Sequence, residues 1–388
     1  MGAAKHLDPG LWPVVTAVLP ERDNGCDWVR VVNPFVHLKL SGYRVWTAHQ
    51  IKTIQHRPDV IVLQRYGVKE PEMVSWLISD THAHGTAVVI DHDDDNRLTA
   101  PVQEDLHVPE AHQWVRDGMA RADALTVTTE YLAARLREEN PHVVVLPNLV
   151  DPDQWRLPVD RKWRLSQRIV VGCQGGITHL HDWRLVSELW PILADQFPTI
   201  DFLLVNVGRS PDWLTALRER LGPRLLEPKW LPSNQYQYNT AQVDIGWCPL
   251  EPTEFNRCRS PLKWLEHSMC AAPVVASPTL YADYIRPGRT GFLAESDDDW
   301  LRYTSELIKS ASLRRRIGYQ AKLEVERDYN VHDPRQQEKR MLAYRDTWER
   351  ARGEPYGRYE ARHAGEYEHG SGLAPATVGS WFSNRGGF

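Results

Sequence analysis

The chain has 388 residues, 42% of them hydrophobic and 25% charged, with a formal net charge of −5. That length favours two domains over one and buries a sizeable core without disulfide or metal staples. The mildly acidic balance gives no strong nucleic-acid signal. No run reaches the roughly 18 apolar residues of a membrane helix, which leaves only peripheral membrane contact open.

Strand-like runs open the chain: PVVTAVL (13–19), YRVWTA (43–48), DVIVLQ (59–64), TAVVID (86–91), ALTVTT (124–129) and VVVLP (143–147). Helical patterns lie between them near 33–41, 71–84, 108–121 and 130–139. Apolar strands alternating with helices argue for a parallel sheet covered on both faces. The polar stretch 151–167 reads as a linker, after which the alternation restarts. RIVVGC (168–173) precedes a helix from Asp182 to about Phe197. DFLLVNV (201–207) precedes helices near 211–221 and 233–241, and DIGWCPL (244–250) leads to a further helix and PVVAS (273–277). Helices near 298–310 and 312–327 come next. A last helix over 334–352 is amphipathic through Met341, Tyr344 and Trp348, and the tail 353–388, poor in aliphatic residues, lacks a core of its own and reads as a flexible end.

Five scattered cysteines without a C-x-x-C pair argue against a disulfide framework or zinc site and for a reducing cytoplasm. The N-terminus MGAAKHLDPGLWP has no apolar h-region, so it is not a secretory signal.

In open parallel sheets ligands bind beyond the carboxyl ends of the strands, and the unusual residues stand there. EFNRCRSPLKWLEHSM (254–269) places Ser260 as N-cap and Pro261 at the first helical position. Leu262, Leu265 and Met269 form the buried stripe, and Lys263 and Glu266 share one side of the first two turns. Free N–H groups, the helix dipole, Lys263, Arg257 and Arg259 together make an anion site. A carboxylate such as Glu266 beside it suits ribose or sugar hydroxyls. The same residues also read as a charged helix start at the surface, its cations paired with Glu251 and Glu254. Asp91-His92-Asp93-Asp94-Asp95 follows a strand and has three readings: sugar or acceptor contact, a capping or solvated acidic loop, or a site for a hard divalent ion. HAHG (82–85) and the His179/His181 pair lack partners at a ligand spacing, so no metal site is assigned to them.

The segment from Phe255 through Glu266, leading into Pro273-Val274-Val275-Ala276-Ser277, resembles the donor-binding segment of retaining GT-B glycosyltransferases of the family 4 type, glycosyl transferases group 1. VVVLPNLVDPDQW (143–155), RIVVGCQGGITHLHDW (168–183), DIGWCPL and PGRTGFLAESDDDWLRYTSELIKSASLRRRIG (287–318) resemble further motifs of that family in order. The resemblance implies an α/β, GT-B fold: two Rossmann-like domains facing across a cleft, with a C-terminal helix crossing back to the first. Residues 1–160 would be the acceptor domain, 161–333 the nucleotide-sugar domain, and 334–352 the crossing helix. Arg259, Lys263 and His92 would be catalytic. Gly175, Gly176, His179, Glu254, Asn256, Arg257, Ser260 and Glu266 would bind the donor. Asp91, Asp93 and Asp94 would lie on the acceptor or sugar side.

No cofactor or metal is implied, only a nucleotide-sugar donor, UDP- or GDP-linked, and an acceptor that the sequence does not identify. Two departures stand out. The first of the family's two glutamates falls on Cys258, and the glycine after the helix is Ala271, which costs roughly 1 kcal/mol if the backbone there is left-handed. Cys258 is the main argument for the alternative, an inactive nucleotide-sugar- or carbohydrate-binding module of the same fold.

Overall fold

The computed structural model describes residues 12–19, 25–48, 54, 56–65, 74–98, 112–158, 164–205 and 211–353. The first half forms a six-stranded sheet: β1 (Val15–Val18), β2 (Val45–Ala48), β3 (Val60–Gln64), β4 (Ala87–His92), β5 (Ala124–Val127) and β6 (Val143–Val145), in the order β2-β1-β3-β4-β5-β6. A second follows: β7 (Ile169–Gln174), β8 (Ile200–Val205), β9 (Leu225–Leu226), β10 (Ile245–Cys248), β11 (Val274–Ala276) and β12 (Phe292–Leu293), in the order β12-β11-β10-β7-β8-β9. Every pairing is parallel. The central strands β1, β3, β4 and β5 are buried along their whole length, as expected of apolar runs covered on both faces.

Some elements differ from expectation. The short edge strands β9 and β12 carry too few residues to leave an alternation, and the helix expected from Asp182 begins at Arg184, after a 3₁₀ turn over Ile177–His179. The helix expected over 233–241 shrinks to Gln237–Thr240.

Ala271 is left-handed, with φ 53°. It closes the helix Leu262–Met269 through Ala271 N–H to Ser268 C=O (2.8 Å) and Ala272 N–H to His267 C=O (3.0 Å), a Schellman pattern with alanine in the glycine position. The turn is braced by the helix Ala311–Asp328. A Cβ on Gly318 there would come within 1.9 Å of the Ala271 carbonyl oxygen. Gly318→Ala is therefore expected to lower stability by about 2 kcal/mol or more, because backbone rather than a flexible side chain has to yield. Ala271→Gly should gain about 1 kcal/mol. Urea unfolding of both variants checks the pair.

The helix Pro334–Gly353 returns to the first sheet. Met341 and Tyr344 join Phe35, Leu38, Val60 and Val89 in one core, and Arg350 donates to the Asp123 carbonyl at 2.9 Å. The expectation for the tail beyond Gly353 lies outside the described residues. The chain crosses between the sheets twice, side by side: Val150 pairs with Asn330, with Val150 N–H to Tyr329 C=O at 2.8 Å and Val331 N–H to Val150 C=O at 2.9 Å. Among the described residues, no helix is long and apolar enough to cross a membrane.

Candidate active site

The order of the second sheet reverses at β7 and β10, so the loops after these strands diverge to opposite faces and leave a crevice at their carboxyl ends. β7 ends at Gln174, and Gly175 and Gly176 follow. A Cβ on Gly175 would lie 2.6 Å from His179 Cδ2 and 2.9 Å from Lys263 Nζ. Glycine is thus what lets those two side chains meet over the loop. Lys263 Nζ lies 2.9 Å from His179 Nε2, and His179 Nδ1 lies 2.7 Å from Asp182 Oδ2. An ammonium only donates, so Nε2 accepts and the imidazole proton sits on Nδ1, facing the carboxylate. Burial, reinforced by Arg259 and Lys263, drives the His179 pKa well below its ordinary value, which keeps this tautomer neutral.

Arg259 leans over the same ring. Its Nη1 is 3.1 Å from His179 Nδ1 and 3.9 Å from Asp182 Oδ2, and Nη2 donates to Thr178 Oγ1 at 3.0 Å. Burial, and then Arg259, lowers the Lys263 pKa. Asp182 is pushed up to about 6 by burial, against Arg259 and the N–H donors of Glu251 and Asn256. Glu266 is buried one turn deeper in the helix. Its Oε2 accepts from Gln174 Nε2 at 3.2 Å, and burial raises its pKa to about 7 against the pull of Lys263. The result is two repelling cations fixed side by side at a helix start, with a buried carboxylate behind them. Such an arrangement gains most from an anion with hydroxyls attached.

Ser260 needs correction as an N-cap. The helix begins at Leu262 with Pro261 in the cap position and no side-chain cap bond, because the Ser260 hydroxyl accepts from Asn148 Nδ2 of the other half at 2.8 Å. Asp182, two residues before the helix that starts at Arg184, holds His179 and Asn256 together.

Opposite this cluster stands the acidic run after β4. Asp94 Oδ1 lies 3.7 Å from Arg259 Nε, and burial, then Asp93, raises its pKa. Asp93 takes both oxygens to Arg65 at 3.0 Å, which holds its carboxyl well below the usual range in spite of burial. Arg65 is left-handed (φ 57°) and also donates to Cys26 Sγ at 3.2 Å. Asp95 is bound by Arg97 and Arg135. His92 is buried, its Nδ1 2.9 Å from Asn96 Nδ2, and burial lowers its pKa to about 4, so it is neutral near pH 7. Asp91 lies beneath the cleft. Arg30 clamps both its oxygens at 2.9 and 2.6 Å, and Thr126 donates to it at 2.6 Å, so its carboxylate is fully engaged within the protein.

Two further candidates, Glu254 and Arg257, face elsewhere, and a third, Asn256, braces the cluster. Glu254 accepts from Arg135 at 2.8 Å and from the Tyr131 hydroxyl, on the outer seam between the halves. Arg257 pairs with Asp283 at 2.7 Å and stacks over Tyr131. Asn256 spends its amide on Asp182 (2.8 Å) and the Glu251 carbonyl (3.1 Å), which makes it a positioning residue. Cys258, in the register of the family's first glutamate, is fully buried and packs with the core of the first sheet, where burial pushes its thiol up to about 12. Sequence reading passed over Gln174, Thr178, Asn148 and Arg65. Gln174 and Arg65 end or directly follow strands, so the carboxyl-end rule already pointed to their positions.

Gly175→Ala gives a sharp test of the loop. It is expected to raise the KM for the donor by about tenfold or more and to lower the melting temperature, because the added methyl meets the buried His179 ring at 2.6 Å, held by Asp182, as well as the Lys263 ammonium at 2.9 Å. Steady-state kinetics and a thermal melt on one preparation decide it.

Residues 168–310 match the family model of glycosyl transferases group 1. No curated protein matches the sequence. Solved structures match in fold. HepE from Anabaena, in complex with UDP-glucose, is 12% identical with TM-score 0.62, over 85% of this chain and 99% of that one. Sucrose-phosphate synthase from Thermosynechococcus elongatus is 14% identical with TM-score 0.60, over 87% and 99%. A variant of S. aureus TarM, in complex with fondaparinux, alpha-GlcNAc-glycerol and UDP, is 12% identical with TM-score 0.57, over 74% and 55%, so this chain spans about half of TarM's length. Residues 168–310 are thus similar to a glycosyl transferases group 1 domain, in a chain whose two parallel sheets share the GT-B fold of these structures.

Proposed function

We propose that this chain is a glycosyltransferase that moves a sugar from a nucleoside-diphosphate sugar, UDP- or GDP-linked, to an acceptor held by the first half. The carrying observation is the Arg259–Lys263–His179 cluster over Gly175, its two cations half-buried on the buried His179, with Glu266 buried behind it. Departure of a nucleoside diphosphate builds negative charge on the leaving phosphate. Two preorganised cations and a helix start meet that charge without reorganising. His179 stays neutral and passes the orientation of Asp182 to Lys263; it holds the ammonium rather than moving a proton. Glu266 would accept from ribose hydroxyls. Asp94 and His92, on the facing strand end, would contact the transferred sugar or the acceptor.

Retention at the anomeric carbon is consistent with the group 1 domain. It also fits a site whose acidic residues are engaged by arginines at Asp91, Asp93 and Asp95. HepE is described with UDP-glucose, which favours testing UDP-sugars first. We propose that the reaction needs no metal, since Arg259 and Lys263 supply the charge. The scattered cysteines, with no C-x-x-C pair among them, support a reducing compartment such as the cytoplasm.

Calorimetric titration with UDP, GDP, ADP, TDP and CMP, with and without EDTA, tests the donor reading. One diphosphate binds in EDTA and loses that binding in Lys263→Ala. Binding of none, with a folded protein, overturns it. Incubation with the matching nucleotide-sugars and NMR of the released or transferred sugar then reports its anomeric configuration.

A further inference from the structure

Where the chain crosses between the two sheets, three side chains from three distant segments converge. Asp151 directly follows the Val150–Asn330 pairing. His37 comes from the helix Asn33–Leu40, whose Phe35 and Leu38 anchor it in the first core. His332 stands two residues before the return helix Pro334–Gly353. His37 Nε2 lies 3.1 Å from Asp151 Oδ2, and His332 Nε2 lies 2.9 Å from Asp151 Oδ1. The two rings are 4.5 Å apart at 34°, and one ligand atom from each of the three residues lies within 4.8 Å of the others.

We propose that His37, Asp151 and His332 form a binding site for a divalent transition metal of the zinc class, separate from the donor cluster. Ligand atoms about 2.0–2.1 Å from a zinc ion stand roughly 3.4 Å apart in a tetrahedron, so side-chain rotation alone brings these three into place. Two imidazoles and one carboxylate suit zinc, cobalt or nickel, whereas magnesium and calcium take oxygen sets. His37 and Asp151 are each 15% exposed at the side chain and His332 37%, which leaves an open side for entry and for a fourth, water ligand. The surrounding charge favours a cation. Asp153 Oδ2 lies 4.0 Å from His332 Nε2, and the nearby Arg156 is exposed and turned onto Asp153. The anchoring is rigid on both sides, through the buried face of the His37 helix and the His332 N–H bond to Asn330 Oδ1 at 2.8 Å. A metal here ties the first half, the crossing and the return helix together.

The test is titration of the EDTA-treated full chain with CoCl2, read by visible absorption, and with ZnCl2, read by calorimetry. The wild type is expected to take up one saturable cobalt, with the intense visible bands of a four- or five-coordinate ion, and to lose them when zinc is added. MgCl2 should leave them unchanged. His332→Ala, at the most exposed of the three positions, and Asp151→Asn should each weaken zinc at least about tenfold, since losing even outer-shell partners costs ~10–100-fold. The chain has sixteen histidines, including His363 and His369 beyond Gly353, so the comparison with the variants is what assigns the site. Wild-type protein without a saturable equivalent overturns the proposal, as does unchanged affinity in both variants. Circular dichroism of each variant confirms that a loss is local.

Discussion

Lys263→Ala is expected to slow release of nucleoside diphosphate from the donor sugar by about 10²–10³-fold, the usual effect of deleting one preorganised donor to a developing anion. The side chain is held by His179 Nε2 at 2.9 Å and by the space that Gly175 leaves, so its position is fixed before substrate arrives. Its loss removes a charge from the cluster and strands His179 without its donor. The folded state should not suffer. Burial and Arg259 lower the Lys263 pKa, so the ammonium is a native-state liability at neutral pH, and its removal leaves the melting temperature equal or higher. A fall in kcat with an intact melt distinguishes a catalytic cation from a structural one; equal kcat would remove Lys263 from the mechanism. Arg259→Ala should cost a similar factor, and the double variant less than the product, because both cations converge on His179.

The architecture was legible because apolar runs between helices leave few options other than parallel sheets. The order of the motifs from residue 168 onward carried the second half further than the first. What the sequence concealed was direction. Arg257, Arg259 and Lys263 look equivalent within seven residues, yet Arg257 turns outward to Asp283 while the other two turn inward to His179. Asp91, Asp93, Asp94 and Asp95 are one acidic run, but Asp91 lies within the strand and turns to Arg30, while Asp94, in the bend beyond it, faces Arg259. Cys258 gave a gap in the family pattern without saying that its side chain packs against the other half's core. Each of these outcomes depends on a partner more than twenty residues away, which local pattern does not encode. Ala271 was the reverse case: helix geometry demanded a left-handed residue at the glycine position, and alanine supplies it.

Glu266→Gln should separate stability from function in opposite directions. The carboxyl is buried and its pKa is raised from 4.5 to about 7. Between those two values the native protein holds a proton that the unfolded chain has released, so stability falls as pH rises through this window, and the deficit is complete above about 7. A shift of that size corresponds to about 3 kcal/mol as an upper estimate. Glutamine keeps an oxygen for the Gln174 amide, now at 3.2 Å, without the charge. The variant should therefore be more stable than wild type by about 1–3 kcal/mol at pH 8 and nearly equal to it at pH 5, read from urea unfolding at both values. Nucleoside-diphosphate binding at pH 8 should weaken about 10–100-fold, the worth of exchanging a charged acceptor for a neutral one beneath ribose hydroxyls. A variant that binds like wild type would place the ribose elsewhere, and one with no gain at pH 8 would mean that the carboxylate is already well solvated. Together, the gain and the loss would show that the site keeps an unstable buried charge because the donor, and not the fold, requires it.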